Sequence, residues 1–191
     1  MNDISKFEEK QKSSQLIFDG KVLHLYRDEI FLPNGREAFR EFCRHIGAVC
    51  VVPVTDEGEI ICVKQYRYAV GEVMLEIPAG KLDSKDEDPR EAALRELREE
   101  TGATCKSLTY LGKYLSSPAI LDECIHMYMA EGLEFGDTDF DDDEFIETEK
   151  IPVDELVAMI MRGEIHDGKT QAAVLRAAIA IAKNSANPQK G

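Results

Sequence analysis

Residues 80–103 read GKLDSKDEDPREAALRELREETGA, and this stretch decides the fold. Within it, Arg95-Glu96-Leu97-Arg98-Glu99-Glu100-Thr101-Gly102 gathers three carboxylates on one short helix. Glu96 and Glu100 stand four residues apart and Glu99 stands three from Glu96, so all three share a face. Like charges at that spacing repel by about 0.2–0.5 kcal/mol per pair on an exposed helix. A hard divalent cation offsets that repulsion, and Mg²⁺ or Mn²⁺ takes several carboxylates together with substrate phosphates. The alternative is a solvated helix laced by ion pairs such as Arg95–Glu99.

The flanks favour the first reading. Leu75-Glu76-Ile77-Pro78-Ala79-Gly80 is a short apolar strand ending at a glycine, where backbone can turn or approach a ligand. Asp88, Pro89 and Glu91 spell a helix start: N-cap, proline at N1, and a glutamate at N3 to close a capping box. Ala93, Leu94 and Leu97 supply the buried stripe, and Gly102 suits the C′ position. The unit is strand, glycine loop, acid-faced helix and stop. The carbonyls of the loop lie beside the glutamate face.

This arrangement resembles the signature of the Nudix hydrolases, G-x5-E-x7-R-E-U-x-E-E-x-G-U with U an aliphatic residue. Glu87, Arg95, Glu96, Leu97, Glu99, Glu100, Gly102 and Ala103 fall on it in register. Six residues, not five, separate Gly80 from Glu87, which reads as a longer loop, an insertion that costs little. The resemblance implies an α/β fold, a Nudix-type α/β/α sandwich with a mixed sheet.

Residues 15–44 read as an added antiparallel β unit: Gln15–Phe18, Val22–Leu32 and Glu37–Arg44, with turns at Asp19-Gly20 and Asn34-Gly35. A three-stranded piece of this size is marginal alone and must pack on something. The expected division is an N-terminal β unit over 1–45, a hydrolase domain over 46–185 and a frayed tail over 186–191. Gly47–Val54 and Glu59–Tyr66 are nearly continuous in apolar character, as central strands covered on both faces are. Leu108–Leu115 and Ile125–Glu131 read as further strands, and Val153–Arg162 and Thr170–Ala182 as helices.

The N-terminal unit is similar to that of the ADP-ribose pyrophosphatase group, whose subunits exchange it across a homodimer. By that resemblance, Arg40 and Glu41 lie near the adenine of the partner's substrate; an ordinary charged edge strand is the alternative. Arg67, in Gln65-Tyr66-Arg67-Tyr68, would meet a diphosphate oxygen through the planar fork that arginine offers phosphate. Ser116 to Glu123 falls where the group carries Ser-Pro-Gly, an aromatic and Asp-Glu. Here Ala119 and Ile120 replace the glycine and the aromatic, while Glu123 keeps the pattern as a substrate-binding candidate.

A second acidic run, Asp141 to Glu147, ends in an apolar pair and Pro152. By the resemblance, Glu144 completes a metal set of the Ala79 carbonyl, Glu96, Glu99 and Glu100. Asp142 and Glu99 are alternative bases, and the catalytic set is Glu99, Glu100, Asp142 and Glu144. His126 and His166 have nothing tying them to the glutamate face and read as structural. Gly163 to Thr170 reads as a helix stop, a turn and an N-cap at Asp167 or Thr170. It lacks the first glycine and the preceding strand of a P-loop.

Composition sets outer limits. A net charge of −14 over 191 residues opposes a sequence-independent grip on nucleic acid. The five cysteines form no C-x-x-C pair, which fits reduced thiols and a cytoplasmic location. The first residues have no apolar core, so no signal peptide is expected, and no run reaches the roughly 20 residues of a membrane span. The implied activity is metal-dependent hydrolysis of ADP-ribose to AMP and ribose 5-phosphate. Hydrolysis of another nucleoside diphosphate derivative, such as a nucleotide sugar or flavin dinucleotide, and a non-catalytic nucleotide sensor are the rivals.

Overall fold

The computed structural model describes residues 4–136 and 145–186. These form two compact units, one of residues 1–45 with 115–123 and one of 46–114 with 124–191.

In the first unit, β1 (Lys10–Asp19), β2 (His24–Phe31) and β3 (Glu37–Arg44) make an antiparallel sheet in that order. Gly35, at φ 82°, takes the left-handed turn conformation that Asn34-Gly35 announces. β1 begins five residues earlier than the apolar pattern suggested, because polar Lys10 to Ser14 pair with Asp28 to Phe31 through backbone bonds that need no apolar side chain. The 115–123 connection joins this unit where Cys43 N donates to the Ile120 carbonyl at 2.8 Å.

In the second unit, β4 (Ala48–Pro53) is central, buried along its whole length. Ala48, Cys50 and Val52 face one cluster; Val49 and Val51 face another. That alternation is what a strand covered on both sides requires. β4 pairs parallel with β9 (Cys124–Phe135) and antiparallel with β7 (Ala79–Lys81), and β8 (Ala103–Leu115) completes a mixed sheet ordered β7-β4-β9-β8. A second sheet runs β10-β5-β6, with β5 at Glu59–Arg67, β6 at Glu72–Glu76 and β10 at Glu147–Pro152.

Helix α1 (Pro89–Thr101) lays Ala92, Ala93 and Leu97 against Val49 and Val51. Leu97 is fully buried, a contribution of roughly 1.5–3 kcal/mol for a side chain of that size. On the other side, α2 (Val153–Arg162) and α3 (Gly168–Ala186) bury Leu156, Ile160, Ala173, Val174 and Ala177 against Cys50, Cys62 and Ile77. The result is the α/β/α sandwich with a mixed sheet that the sequence predicts.

Candidate active site

Three local devices set the acid-faced helix in place. Asp88 caps it by accepting from Arg90 N at 2.9 Å. This bond reaches N2, whereas the capping box predicted a reciprocal partner at Glu91. Gly102 ends the helix at φ 68°, its N–H donating to the Arg98 carbonyl. The buried stripe then fixes the rotation of the helix, which turns Glu96 and Glu100 inward: they are only 8% and 2% exposed. A solvated charged face would not be covered in this way.

The inward carboxylates meet the start of β7, where the sequence suggested a glycine loop and the chain instead pairs Ala79 and Gly80 with Cys50 and Val49 of β4. Ala79 N donates to Glu100 Oε2 at 3.3 Å. Glu96 lies so close to Gly80 that a Cβ there would overlap its carboxylate, so only glycine admits this approach. Arg95 gathers the outer part: Nη1 donates to Glu96 at 2.7 Å and to Glu99 at 3.1 Å. Its Nη2 meets the Lys81 carbonyl at 3.2 Å and Glu87 at 3.4 Å. Burial works against the Arg95 charge, but Glu96, Asp83 and Glu87 outweigh it and raise the pKa above the ordinary arginine value. The long connection between β7 and α1 is closed by Asp83 N donating to Glu87 at 2.6 Å.

Ala79, Gly80, Glu96, Glu99 and Glu100 are therefore brought together. Among the described residues, no three carboxylate, histidine or thiol groups already converge as a metal cage, since Arg95 and the Ala79 amide engage the glutamates individually. The donor chemistry nonetheless fits a hard divalent ion: buried carboxylate oxygens beside the backbone of β7. Asp142 and Glu144 lie outside the described residues.

Arg67 sits at the end of β5 in the same unit, close enough for the Glu100 charge to act on it. Its Nε and Nη2 donate to the two oxygens of Glu76, each at 2.6 Å. Glu76, at the end of β6, is 1% exposed and also accepts from Lys169. Burial alone would push the Glu76 carboxyl up; the bonds from Arg67 and the charge of Lys169 outweigh it and hold it below the usual carboxylate range.

The remaining candidates belong to the N-terminal unit. Arg40, on β3, donates through Nε to Glu9 at 2.9 Å, and Glu41 is exposed on the same strand opposite Arg27. Glu123 lies 3.6 Å from His45 Nδ1. His126 pairs with Tyr110 at 3.4 Å and His166 approaches Glu72 at 4.0 Å, so each has a partner apart from the glutamate face.

Sequence reasoning missed the Glu76–Lys169 link. These residues are 93 apart in the chain, and Lys169 lies in the segment set aside for lacking a P-loop's features. The available signal was Glu76 itself, a charge within the otherwise apolar run Leu75 to Ala79, since buried charges are paired.

The NUDIX domain family model matches residues 44–173. The chain is similar to the ADP-ribose pyrophosphatase of Bacillus subtilis (strain 168), 42% identical over 173 residues, 90% of this chain and 93% of the relative. It is also similar to the methanol dehydrogenase activator of Bacillus methanolicus, 44% identical over 170 residues, 88% of this chain and 91% of that one. Among solved structures, one described as an ADP compounds hydrolase superposes with a TM-score of 0.84 at 20% identity, covering 93% of this chain and 96% of its own. That likeness concerns the fold. With the signature in register from Glu87 to Ala103, its glutamates turned onto Ala79 and Gly80 of β7, and a family match across 44–173, this chain belongs to the Nudix hydrolases.

Proposed function

We propose that this protein hydrolyses the diphosphate bond of ADP-ribose, giving AMP and ribose 5-phosphate, with Mg²⁺ or Mn²⁺. The observation that carries this reading is the buried Glu96–Glu100 face held against Ala79–Gly80, with Arg67 on the same unit. The name of the similar protein from Bacillus subtilis supports the choice of substrate.

Glu96, Glu99, Glu100 and the Ala79 carbonyl would hold the divalent ion, with Glu144 from outside the described residues. When bound, such an ion neutralises diphosphate charge and acidifies a water. Gly80 lets the β7 backbone lie against the Glu96 carboxylate. Arg67 holds one phosphate with the donors that Glu76 does not use. Glu99 or Asp142 takes the proton of the attacking water. Arg95 keeps Glu96 and Glu99 in place between turnovers. In the N-terminal unit, Arg40 and Glu41 would contact the adenine of the partner's substrate, and Glu123 would be a further substrate-binding residue.

The unit formed by residues 1–45 is proposed to be exchanged in a homodimer. In support, Leu16, Ile17, Phe18, Val22 and Leu23 are all more than two-fifths exposed, an apolar surface that a second copy would cover. Among the described residues no helix is long and apolar enough to cross a membrane, and the pairless cysteines suit the cytoplasm.

A hydrolysis screen tests the proposal. ADP-ribose, nucleotide sugars and a flavin dinucleotide are offered with EDTA, Mg²⁺ or Mn²⁺, and products are separated by chromatography. AMP should form from ADP-ribose only with metal, and faster than products from the other substrates. Undiminished turnover after exhaustive chelation, or preference for a different substrate, overturns it. Light scattering that gives a monomer with full activity overturns the exchanged dimer.

A further inference from the structure

The first turn of α3 is pinned to the end of β6 and to Ile77, just before β7. Asp167 Oδ2 accepts from Thr170 N at 2.9 Å, from Thr170 Oγ1 at 2.6 Å and from Lys169 Nζ at 3.1 Å. Thr170 Oγ1 in turn accepts from Ile77 N at 3.0 Å. Lys169 leaves this knot to donate to Glu76 Oε2, the same oxygen that receives Arg67 Nη2. Lys169 is 11% exposed and Glu76 1%, so this pair is shut away from water, while Arg67 is 41% exposed.

The donor inventory of Arg67 gives the arrangement a direction. A guanidinium has five N–H donors in a plane. Glu76 takes Nε and one from Nη2, which leaves both Nη1 donors and the second Nη2 donor on the opposite edge. That edge is itself a two-pronged fork of the kind that matches a phosphate. Its aim depends on the plane of the Glu76 carboxylate. Arg67 fixes that plane only from its own side; Lys169 fixes it from the protein side, on a rigid helix start.

We propose that Lys169 is a positioning residue: by clamping Glu76 it aims the outer edge of the Arg67 guanidinium at the substrate's diphosphate. Asp167 and Thr170 hold Lys169 at the correct height, and the Thr170–Ile77 bond ties the same helix turn to the backbone three residues before Gly80. This inference rests on the reading of Arg67 as the phosphate holder. A purely structural Lys169 would secure α3 to β6 and leave the fork's aim to Arg67 alone.

The test is a double-mutant cycle on the full-length protein. Lys169→Met keeps the length and apolar stem but removes the donor, and Arg67→Ala removes the fork. Initial rates with ADP-ribose and Mg²⁺ give kcat and KM; calorimetry with a non-hydrolysable methylene-bridged ADP-ribose analogue gives affinity without turnover. A small misplacement of a positioning group costs on the order of 100-fold in rate. Lys169→Met should therefore lower kcat/KM by about 10- to 100-fold and weaken the analogue. Lys169→Arg, which restores a cation and donors, should recover part of both. In the Arg67→Ala background, Lys169→Met should add less than about threefold.

Losses that multiply fully in the double variant overturn the inference, as does a Lys169→Met protein with normal kinetics and analogue affinity. If Lys169→Met does not fold, Lys169→Gln takes its place in the cycle under the same criteria. Failure of the underlying reading has a different mark: Arg67→Ala would then bind the analogue and turn over ADP-ribose like the parent.

Discussion

Glu76→Gln removes one negative charge from between two cations, and its cost can be worked from their burial. The Glu76 side chain is 1% exposed and that of Lys169 is 11%. After the substitution Lys169 keeps only Asp167, at 3.1 Å. The glutamine also turns an N–H₂ group towards donors, because Arg67 and Lys169 together require both of the oxygens that a carboxylate offers. Removing one partner of a buried pair costs about 3–5 kcal/mol. Arg67 is 41% exposed and can regain water, which places the expectation near the lower end, about 3 kcal/mol. For a chain of this size that is a fall in Tm of roughly 6–12 °C. Thermal unfolding followed by circular dichroism at pH 7 measures it. Glu155→Gln is the control, since it breaks an ion pair with Arg162 in which both side chains are about half exposed. A Glu76→Gln protein that melts with the control and the parent would refute the view that this buried pair contributes to stability.

Gly80→Ala should leave stability nearly unchanged yet reduce kcat/KM about tenfold or more, because the new Cβ displaces the movable Glu96 carboxylate and not backbone; unaltered kinetics would contradict the close approach. The Glu76 carboxyl is held below its unfolded value, so its contribution to stability is complete above the unfolded pKa and is lost as pH falls through the folded one. Urea unfolding should accordingly show the parent losing stability from about pH 5 downward, and the Glu76→Gln protein losing less over the same interval. Burial pushes the Cys50 and Cys62 thiols up to about 12, so at pH 8 an alkylating reagent should leave both unmodified until the protein is denatured, as mass spectrometry of digests would reveal.

The helix at the centre of the site was legible because its instructions are local. Asp88, Pro89 and Gly102 mark its ends, and both ends fall where they indicate. The strands of the second unit were legible through β-branched runs, and β4 needed both faces covered, as Ala48 to Val52 are. The apolar run Leu75 to Gly80 reads as one strand; in the fold Ile77 and Pro78 separate β6 from β7, which pair with different sheets. Pro78 lacks an N–H for a ladder, and β7 begins at the next residue, Ala79, whose amide meets Glu100. Glu147–Pro152 escaped notice because half of its residues are charged and it gains its place by pairing with β5, not by alternation. The Glu76–Lys169 link was beyond reach for a related reason. Nothing near Lys169 in the chain announces a partner 93 residues away, and only packing of α3 against the sheets brings the charges together.

The most direct test of the account is the rate of ADP-ribose hydrolysis by Glu100→Gln at saturating Mg²⁺, set beside Glu91→Gln. Glu100 is 2% exposed on the face against Ala79, whereas Glu91 is exposed in the capping turn of the same helix. Loss of a group one step removed from a metal commonly costs about 10–100-fold, so loss of a direct ligand should cost at least that. AMP production by Glu100→Gln should fall by that factor or more while Glu91→Gln keeps most of the parental rate. Near-normal turnover by Glu100→Gln would contradict the assignment of this glutamate face as the catalytic centre.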